Sequence, residues 1–226
     1  MNKTNFTCSG TARAAAETPA DVKDMQTALP EARVLAGLPA QESAANASRP
    51  SAAIDGDVIY VANAGLVLLH PFLPRMFRQL QVLSDDTNGK PRIAGTDDAS
   101  RAVHLLQWLV DAHCDTPEPS LALNKLLCGL ELDTPVAPAI VPGEDEIALC
   151  WQLLAAVTGN WSSIGNTSAD GLRETFLQRD GRLQRRDGKW TLTVSRKTVD
   201  VLVDQIPWGF AVILHPWMSR ELAVMW

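Results

Sequence analysis

The sequence predicts an α+β fold: a mainly helical body, a small antiparallel C-terminal sheet and a flexible N-terminal tail. Three observations carry that expectation. Ala102, Leu105, Leu106 and Leu109 recur at the i, i+3, i+4, i+7 spacing of one buried helix stripe. Asp187-Gly188 sits between two short segments of β character, the pattern of a hairpin closed by a type I′ turn. Residues 1–54 are rich in alanine with scattered Thr, Ser, Glu and Pro, and hold a single aromatic, Phe6. Such a segment has little to bury against the backbone entropy of ordering it, which favours disorder or a transient helix.

Residues 1–54 therefore read as a low-complexity tail or linker, and 55–226 as a globular α+β domain. A short helix over 21–38 would be interrupted at Pro30 and stopped by Pro39. Val58 to Val61 is a strand candidate. Residues 65–83 read as a helical stretch kinked at Pro71 and Pro74, and 84–96 as a polar loop. A helix follows over 98–112. Pro119 and Ser120 open another, carrying Leu123, Leu126, Leu127 and Leu130. Residues 134–142 hold three prolines and form a loop. Residues 144–158 form a helix with Ile147, Cys150, Trp151, Leu154 and Val157 on one face and acids in its first turn, where they complement the helix dipole. A short helix over 166–178 starts at Thr167-Ser-Ala-Asp170, a capping box with aspartate in place of the usual glutamate or glutamine. Leu172 and Phe176 share a face of it. The hairpin runs 181–186 and 190–194. Residues 199–206 fit helix or strand, and Phe210 to Leu214 is a buried strand.

Composition narrows the function classes. The chain has 226 residues, 20 basic against 26 acidic side chains and 46% hydrophobic residues. That suffices to bury a core without disulfides. The charges of residues 1–54 cancel, so the net −6 belongs to the remainder. An acidic body argues against an electrostatic grip on nucleic acid or anionic lipid. The first residues contain no apolar run of a secretory signal, and no stretch approaches the ~18–20 apolar residues of a membrane span. Cysteines at 8, 114, 128 and 150 form no C-x-x-C pair, and read as reduced thiols of a cytoplasmic protein. Cys128 and Cys150 fall on apolar helix faces, where cysteine acts as a small hydrophobe.

Reactive constellations are weak. His104, His113 and Cys114 are the nearest to a metal set, but adjacent residues rarely point at one ion, and His104 faces away from the leucine stripe of its helix. A surface histidine and a helix-end thiol are the simpler reading, with no metal and no cofactor expected. No thiol sits in an activating context, and G-x-S-x-G, Walker A and G-x-G-x-x-G motifs are missing from the sequence. Arg173, Arg179, Arg182, Arg185, Arg186, Lys189, Arg196 and Lys197 make a basic stretch interleaved with only Phe176 and Trp190. It reads as a solvated hairpin face, or as a patch that docks on an acidic protein. Seven tryptophans supply core filling or interface anchors. Trp208 and Trp217 each follow a proline, and Trp226 lies at the last position.

Leu68-Leu-His-Pro-Phe-Leu-Pro-Arg75 echoes Ile213-Leu-His-Pro-Trp-Met-Ser-Arg220, and the pair reads as two equivalent corners of one domain. These stretches belong to six ordered blocks. They begin with Asn63-Ala-Gly-Leu-Val-Leu-Leu-His-Pro-Phe-Leu-Pro74, Arg101-Ala-Val-His-Leu-Leu-Gln-Trp108 and Leu123-Asn-Lys-Leu-Leu-Cys-Gly129. Residues 166–179 (Asn-Thr-Ser-Ala-Asp-Gly-Leu-Arg-Glu-Thr-Phe-Leu-Gln-Arg), Asp204-Gln-Ile-Pro-Trp-Gly209 and Pro216-Trp-Met218 complete them. As a set the blocks resemble the contractile injection system tape measure protein family over residues 57–226. These systems are phage-tail-like machines whose sheath contracts to drive a tube and spike into a target. The resemblance implies a non-enzymatic assembly component that docks on tube, cap, spike or baseplate proteins, cytoplasmic or incorporated into the particle. Members often carry a long additional region. Residues 1–54, even wholly helical, would reach only ~80 Å, so the expectation is a short member that keeps the globular domain and little or no ruler.

Candidate interaction residues are Asp170, Arg173, Glu174, Phe176 and Arg179 of the fourth block, with Trp208, Trp217 and Trp226. Helical spacing lets Asp170 and Arg173 pair. Two other readings stand beside this one: a stand-alone adaptor for cargo or a chaperone client, and a hydrolase using Cys114 or Cys128 with a histidine.

Overall fold

In the computed structural model, residues 58–226 are described; the tail assigned to 1–54, the helix expected over 21–38 and Cys8 lie outside them. The elements in chain order begin with strand β1 (Val58–Val61), a 3₁₀ helix (Ala64–Phe72) and helix α1 (Leu73–Gln79). Strands β2 (Leu83–Asp85) and β3 (Pro91–Ile93) precede helix α2 (Thr96–Asp111), a 3₁₀ turn (Glu118–Leu121) and helix α3 (Ala122–Leu127). Helix α4 (Glu144–Asn160), a 3₁₀ turn (Ser162–Ile164) and helix α5 (Ala169–Leu172) follow, α5 running into a π-helical turn (Arg173–Leu177). Strands β4 (Gly181–Arg186) and β5 (Lys189–Val194), 3₁₀ turns at Thr198–Val201 and Val203–Gln205, and strands β6 (Val212–Ile213) and β7 (Leu222–Met225) complete the α+β fold.

Helix α2 is the axis of the body. Residues Ala102 to Val110 are buried without interruption, so this helix is enclosed on all sides rather than on one stripe. The leucine stripe therefore told only half of it. His104, expected on the surface, is fully buried, because the proline-rich loop of 134–142 covers that face. The His104 ring reaches the Ala137 carbonyl oxygen at 2.7 Å, and the Ala137 N–H donates to Ser100 Oγ at 2.9 Å. On α4, Cys150, Leu153, Leu154 and Val157 are buried, while Trp151 is 44% exposed. Ser168, not Thr167, caps α5: its Oγ accepts from the Gly171 N–H at 3.0 Å.

The five-stranded sheet has the order β1-β4-β5-β7-β6. Burial alternates along it: Gly181 and Leu183 on β4, Trp190, Leu192 and Val194 on β5, Leu222 and Val224 on β7. That period of two places one face on the core. The β4–β5 turn has φ of 50° at Asp187 and 75° at Gly188, as a type I′ hairpin requires. Two features differ from expectation. β5 and β7 run parallel, whereas the other pairs are antiparallel, and β7 was not anticipated. The loop of 84–96 also contains the short β2–β3 hairpin.

Close backbone packing joins the layers. A Cβ on Gly65 would lie 1.8 Å from the Phe176 carbonyl oxygen, and one on Gly129, where φ is +72°, 2.4 Å from that of Trp217. Both glycines therefore mark places where two backbones meet. Within the described residues no helix is long and apolar enough to cross a membrane.

Candidate functional site

The polar and aromatic residues of the six blocks make contacts within the helical body and between it and the C-terminal sheet region. At the C-terminus of α2 the last carbonyls run short of intrahelical partners, although Trp108 O still accepts from the Ala112 N–H at 2.9 Å. Arg173 donates from Nε to Leu109 O and from Nη2 to Trp108 O, both at 3.2 Å, and Gln178 Nε2 donates to Val110 O at 3.0 Å. The guanidinium also stands 4.5 Å from the Trp108 ring centroid and 4.8 Å from that of Trp151, and donates to Asp170 Oδ1 at 2.9 Å. A buried cation thus answers the negative end of the helix and two indole faces at once. The i,i+3 pairing of Asp170 and Arg173 is present.

Arg179 is likewise fully buried. Its Nη1 and Nη2 meet Asp200 Oδ1 and Oδ2, each at 2.8 Å, in a bidentate pair. Nη2 also donates to Ser195 O at 2.8 Å and Nη1 to Thr175 O at 3.2 Å, with the Trp226 ring 5.4 Å away. Burial opposes ionisation of Asp200, but the Arg179 guanidinium and the Lys197 N–H outweigh it and hold the carboxyl below the usual range.

Three of the indoles act as hydrogen-bonded pegs. Trp208 Nε1 donates to Leu68 O at 3.0 Å, Trp217 Nε1 to Leu127 O at 2.9 Å, and Trp161 Nε1 to Leu202 O at 3.1 Å. Arg173, Phe176, Arg179 and Trp217, candidates for contact with a partner, are therefore taken up inside the chain. Asp170 and Glu174 stay exposed, and Trp208 and Trp226 are partly so. Of the basic stretch, Arg182, Arg186, Lys189, Arg196 and Lys197 are exposed, with Lys189 paired to Glu221 and Arg196 to Asp204.

The two echoed segments face each other, although they are not equivalent corners. Leu68 to Pro71 lies in a 3₁₀ helix, whereas Ile213 ends β6 and the chain then turns. The His70 and His215 rings are 5.7 Å apart, and His215 stacks on Trp217 at 4.5 Å. His70 Nε2 lies 2.7 Å from Gly209 O. A carbonyl only accepts, so that nitrogen carries the proton. Burial lowers the pKa of both rings, that of His215 to about 4, with His70 adding to the shift at His215.

The three thiols among the described residues are protonated groups. Burial, with Asp111 and Asp115 nearby, pushes Cys114 up to about 11, burial pushes Cys150 to about 12, and burial raises Cys128 as well. Cys114 Sγ points at the backbone oxygen of His104, 3.9 Å away, rather than at an imidazole. A nucleophilic cysteine needs the opposite shift. Among the described residues no three His, Cys, Asp or Glu side chains gather where they could hold a metal ion.

Sequence reasoning missed a buried amide cluster beside an open cleft. Asn63 Nδ2 donates to Gln107 Oε1 at 2.9 Å and to Asn124 Oδ1 at 2.6 Å; Asn124 Nδ2 donates to Val103 O at 3.0 Å. Next to Asn124, the buried Lys125 Nζ pairs with Glu118 and donates to Leu132 O at 2.9 Å. Polar residues set among apolar ones were the available signal: Gln107 stands between Leu106 and Trp108, Asn63 between two alanines, and Asn124-Lys125 between Leu123 and Leu126. The cleft, of about 710 Å³, opens between the end of β1, the last turn of α2 and the chain entering β4.

A family model described as contractile injection system tape measure protein matches residues 2–226, nearly the whole chain. Neither a curated protein nor a solved structure matches.

Proposed function

The chain belongs to the contractile injection system tape measure protein family, and on that premise we propose that it is a non-enzymatic assembly component of the particle. Residues 55–226 form the docking body, which engages tube, cap, spike or baseplate proteins by surface fit. One observation carries this reading. Arg173, Arg179 and most of the indoles that mark the blocks are committed to internal hydrogen bonds and aromatic contacts, so they fix a shape rather than meet a substrate. The raised thiol pKa values point the same way. Before it joins the particle the protein resides in the cytoplasm, where its thiols stay reduced.

The test is to tag the chain, purify intact injection particles or their assembly intermediates, and look for it by mass spectrometry beside a deletion strain. Co-purification, with particles missing or of altered length in the deletion strain, is the expected result. Normal particle number and length without the chain would overturn the assembly role.

A further inference from the structure

We propose that the cleft beside β1 is a recognition site for a lysine or arginine side chain carried on an extended segment of a partner protein. The proposal rests on the docking reading above for its biological setting, but its chemistry comes from the cleft itself. The residues lining it include two carboxylates, Asp111 and Asp180, and neither lysine nor arginine. Its amide donors are already directed inward. Gln107 Nε2 donates to Asp111 Oδ2 at 2.5 Å, Gln178 Nε2 to Val110 O, and Asn63 Nδ2 to Gln107 and Asn124. What remains for a ligand is the two carboxylates and the hydroxyls of Tyr60, Thr116 and Ser120, which can accept as well as donate.

Asn63 supplies an independent sign. It lines the cleft, is 3% exposed, and its Oδ1 is buried with no hydrogen-bond partner. A buried carbonyl oxygen without a donor is costly, and a water or a ligand N–H that reaches it removes that cost. An ammonium or guanidinium brings several N–H donors and a positive charge to the two carboxylates. An anion would meet repulsion from both carboxylates there. The exposed Asp180 side chain forms no ion pair with another described residue, so its charge is available.

An extended segment fits the surroundings better than a free amine. β1 is the outer strand of the sheet, paired only with β4 among the described residues. A strand edge offers unpaired backbone groups to an incoming chain. Tyr60, on that strand and at the rim of the cleft, is 79% exposed and offers its ring to a neighbouring side chain. A volume of about 710 Å³ exceeds what one side chain fills and leaves room for its flanking residues.

The experiment uses the full chain with ¹⁵N label. The probe is acetyl-Thr-Val-Lys-Val-Thr-amide, with glutamate and norleucine peptides as controls, followed through the side-chain amide signals of Asn63 and Gln178. The lysine peptide should shift both signals in a saturable titration, at least tenfold more tightly than either control. Asp180→Lys should weaken it at least tenfold, and Asp180→Asn to a lesser degree, while the rest of each spectrum stays superimposable on that of the parent chain. Equal binding of the glutamate peptide, undiminished binding to Asp180→Lys, or unmoved Asn63 and Gln178 signals would each overturn the proposal. Saturable binding of n-butylamine as tight as the lysine peptide would overturn the extended-segment part. Failure here with normal incorporation into particles would sink the cleft alone; normal particles in the deletion strain would sink the assembly role alone.

Discussion

Arg179 and Asp200 carry opposite charges in a place from which water is excluded. Their attraction is large there, but so is the cost of removing both from water, and the two nearly cancel for a well-made pair. What does not cancel is half a pair. Arg179→Met leaves the Asp200 carboxylate buried without its guanidinium, facing the Lys197 N–H and the Trp226 indole, and should destabilise the fold by about 3–5 kcal/mol. Adding Asp200→Leu removes the stranded charge and should restore a large part of that loss. Urea unfolding of the two single variants and the double variant measures the coupling. Strict additivity would show that the two charges do not act as a unit. Arg173 differs, because it answers fixed carbonyl dipoles and indole faces, and its carboxylate partner Asp170 stands in water. An exposed partner contributes little, so Asp170 orients the guanidinium more than it stabilises it.

Among the elements, those with strong local rules were legible in the sequence. The hairpin was readable because a type I′ turn demands positive φ at two successive residues, which Asp-Gly tolerates. Helices α2 and α4 were readable because their apolar period is long and their first turns are acidic. Strand β7 was not, since four residues of alternating burial are too few to signal a strand and its parallel pairing with β5 is a long-range event. The burial of His104 was illegible for a related reason: the loop that covers it lies some thirty residues further on. Of the candidate site, residue types and the Asp170–Arg173 pairing were readable, but not which side of the surface each would occupy. Gly65 is a test at this scale. It stands in the 3₁₀ helix that lies against the π-helical turn, with no room for a methyl group beside Phe176 O. The Phe176 backbone is pinned by the packing of its ring on Trp161, centroids 4.8 Å apart. Gly65→Ala should therefore cost about 3 kcal/mol or more, at the upper end for overpacking. A melting temperature equal to that of the parent chain would mean the two elements can slide apart.

At the scale of the whole molecule, the helical body and the C-terminal sheet region meet at the two His-Pro segments, and that junction responds to protons. His70 comes from the 3₁₀ helix of the body and His215 from the turn after β6. The folded state holds both rings below the ordinary histidine pKa of 6.5, His215 at about 4. Above 6.5 both rings are neutral in the folded and unfolded chain, so stability does not depend on them. As the pH falls from 6.5 toward 4 the unfolded chain takes up protons that the folded one refuses, and stability falls with it. Below about 4 His215 is protonated in both states and its contribution stops changing. Two and a half pH units at 1.36 kcal/mol each set about 3 kcal/mol as an upper bound on the loss across that window, solvent screening and the coupling of the two rings included. Asp200 works below this range, since its lowered pKa keeps it ionised until the pH passes under the usual carboxylate value of 3.8. The urea midpoint should thus drop between pH 6.5 and 4.5 in the parent chain and drop less in His215→Phe, whose ring can still stack on Trp217. An equal drop in both would assign the acid sensitivity to other groups, and the junction would then be held by packing alone.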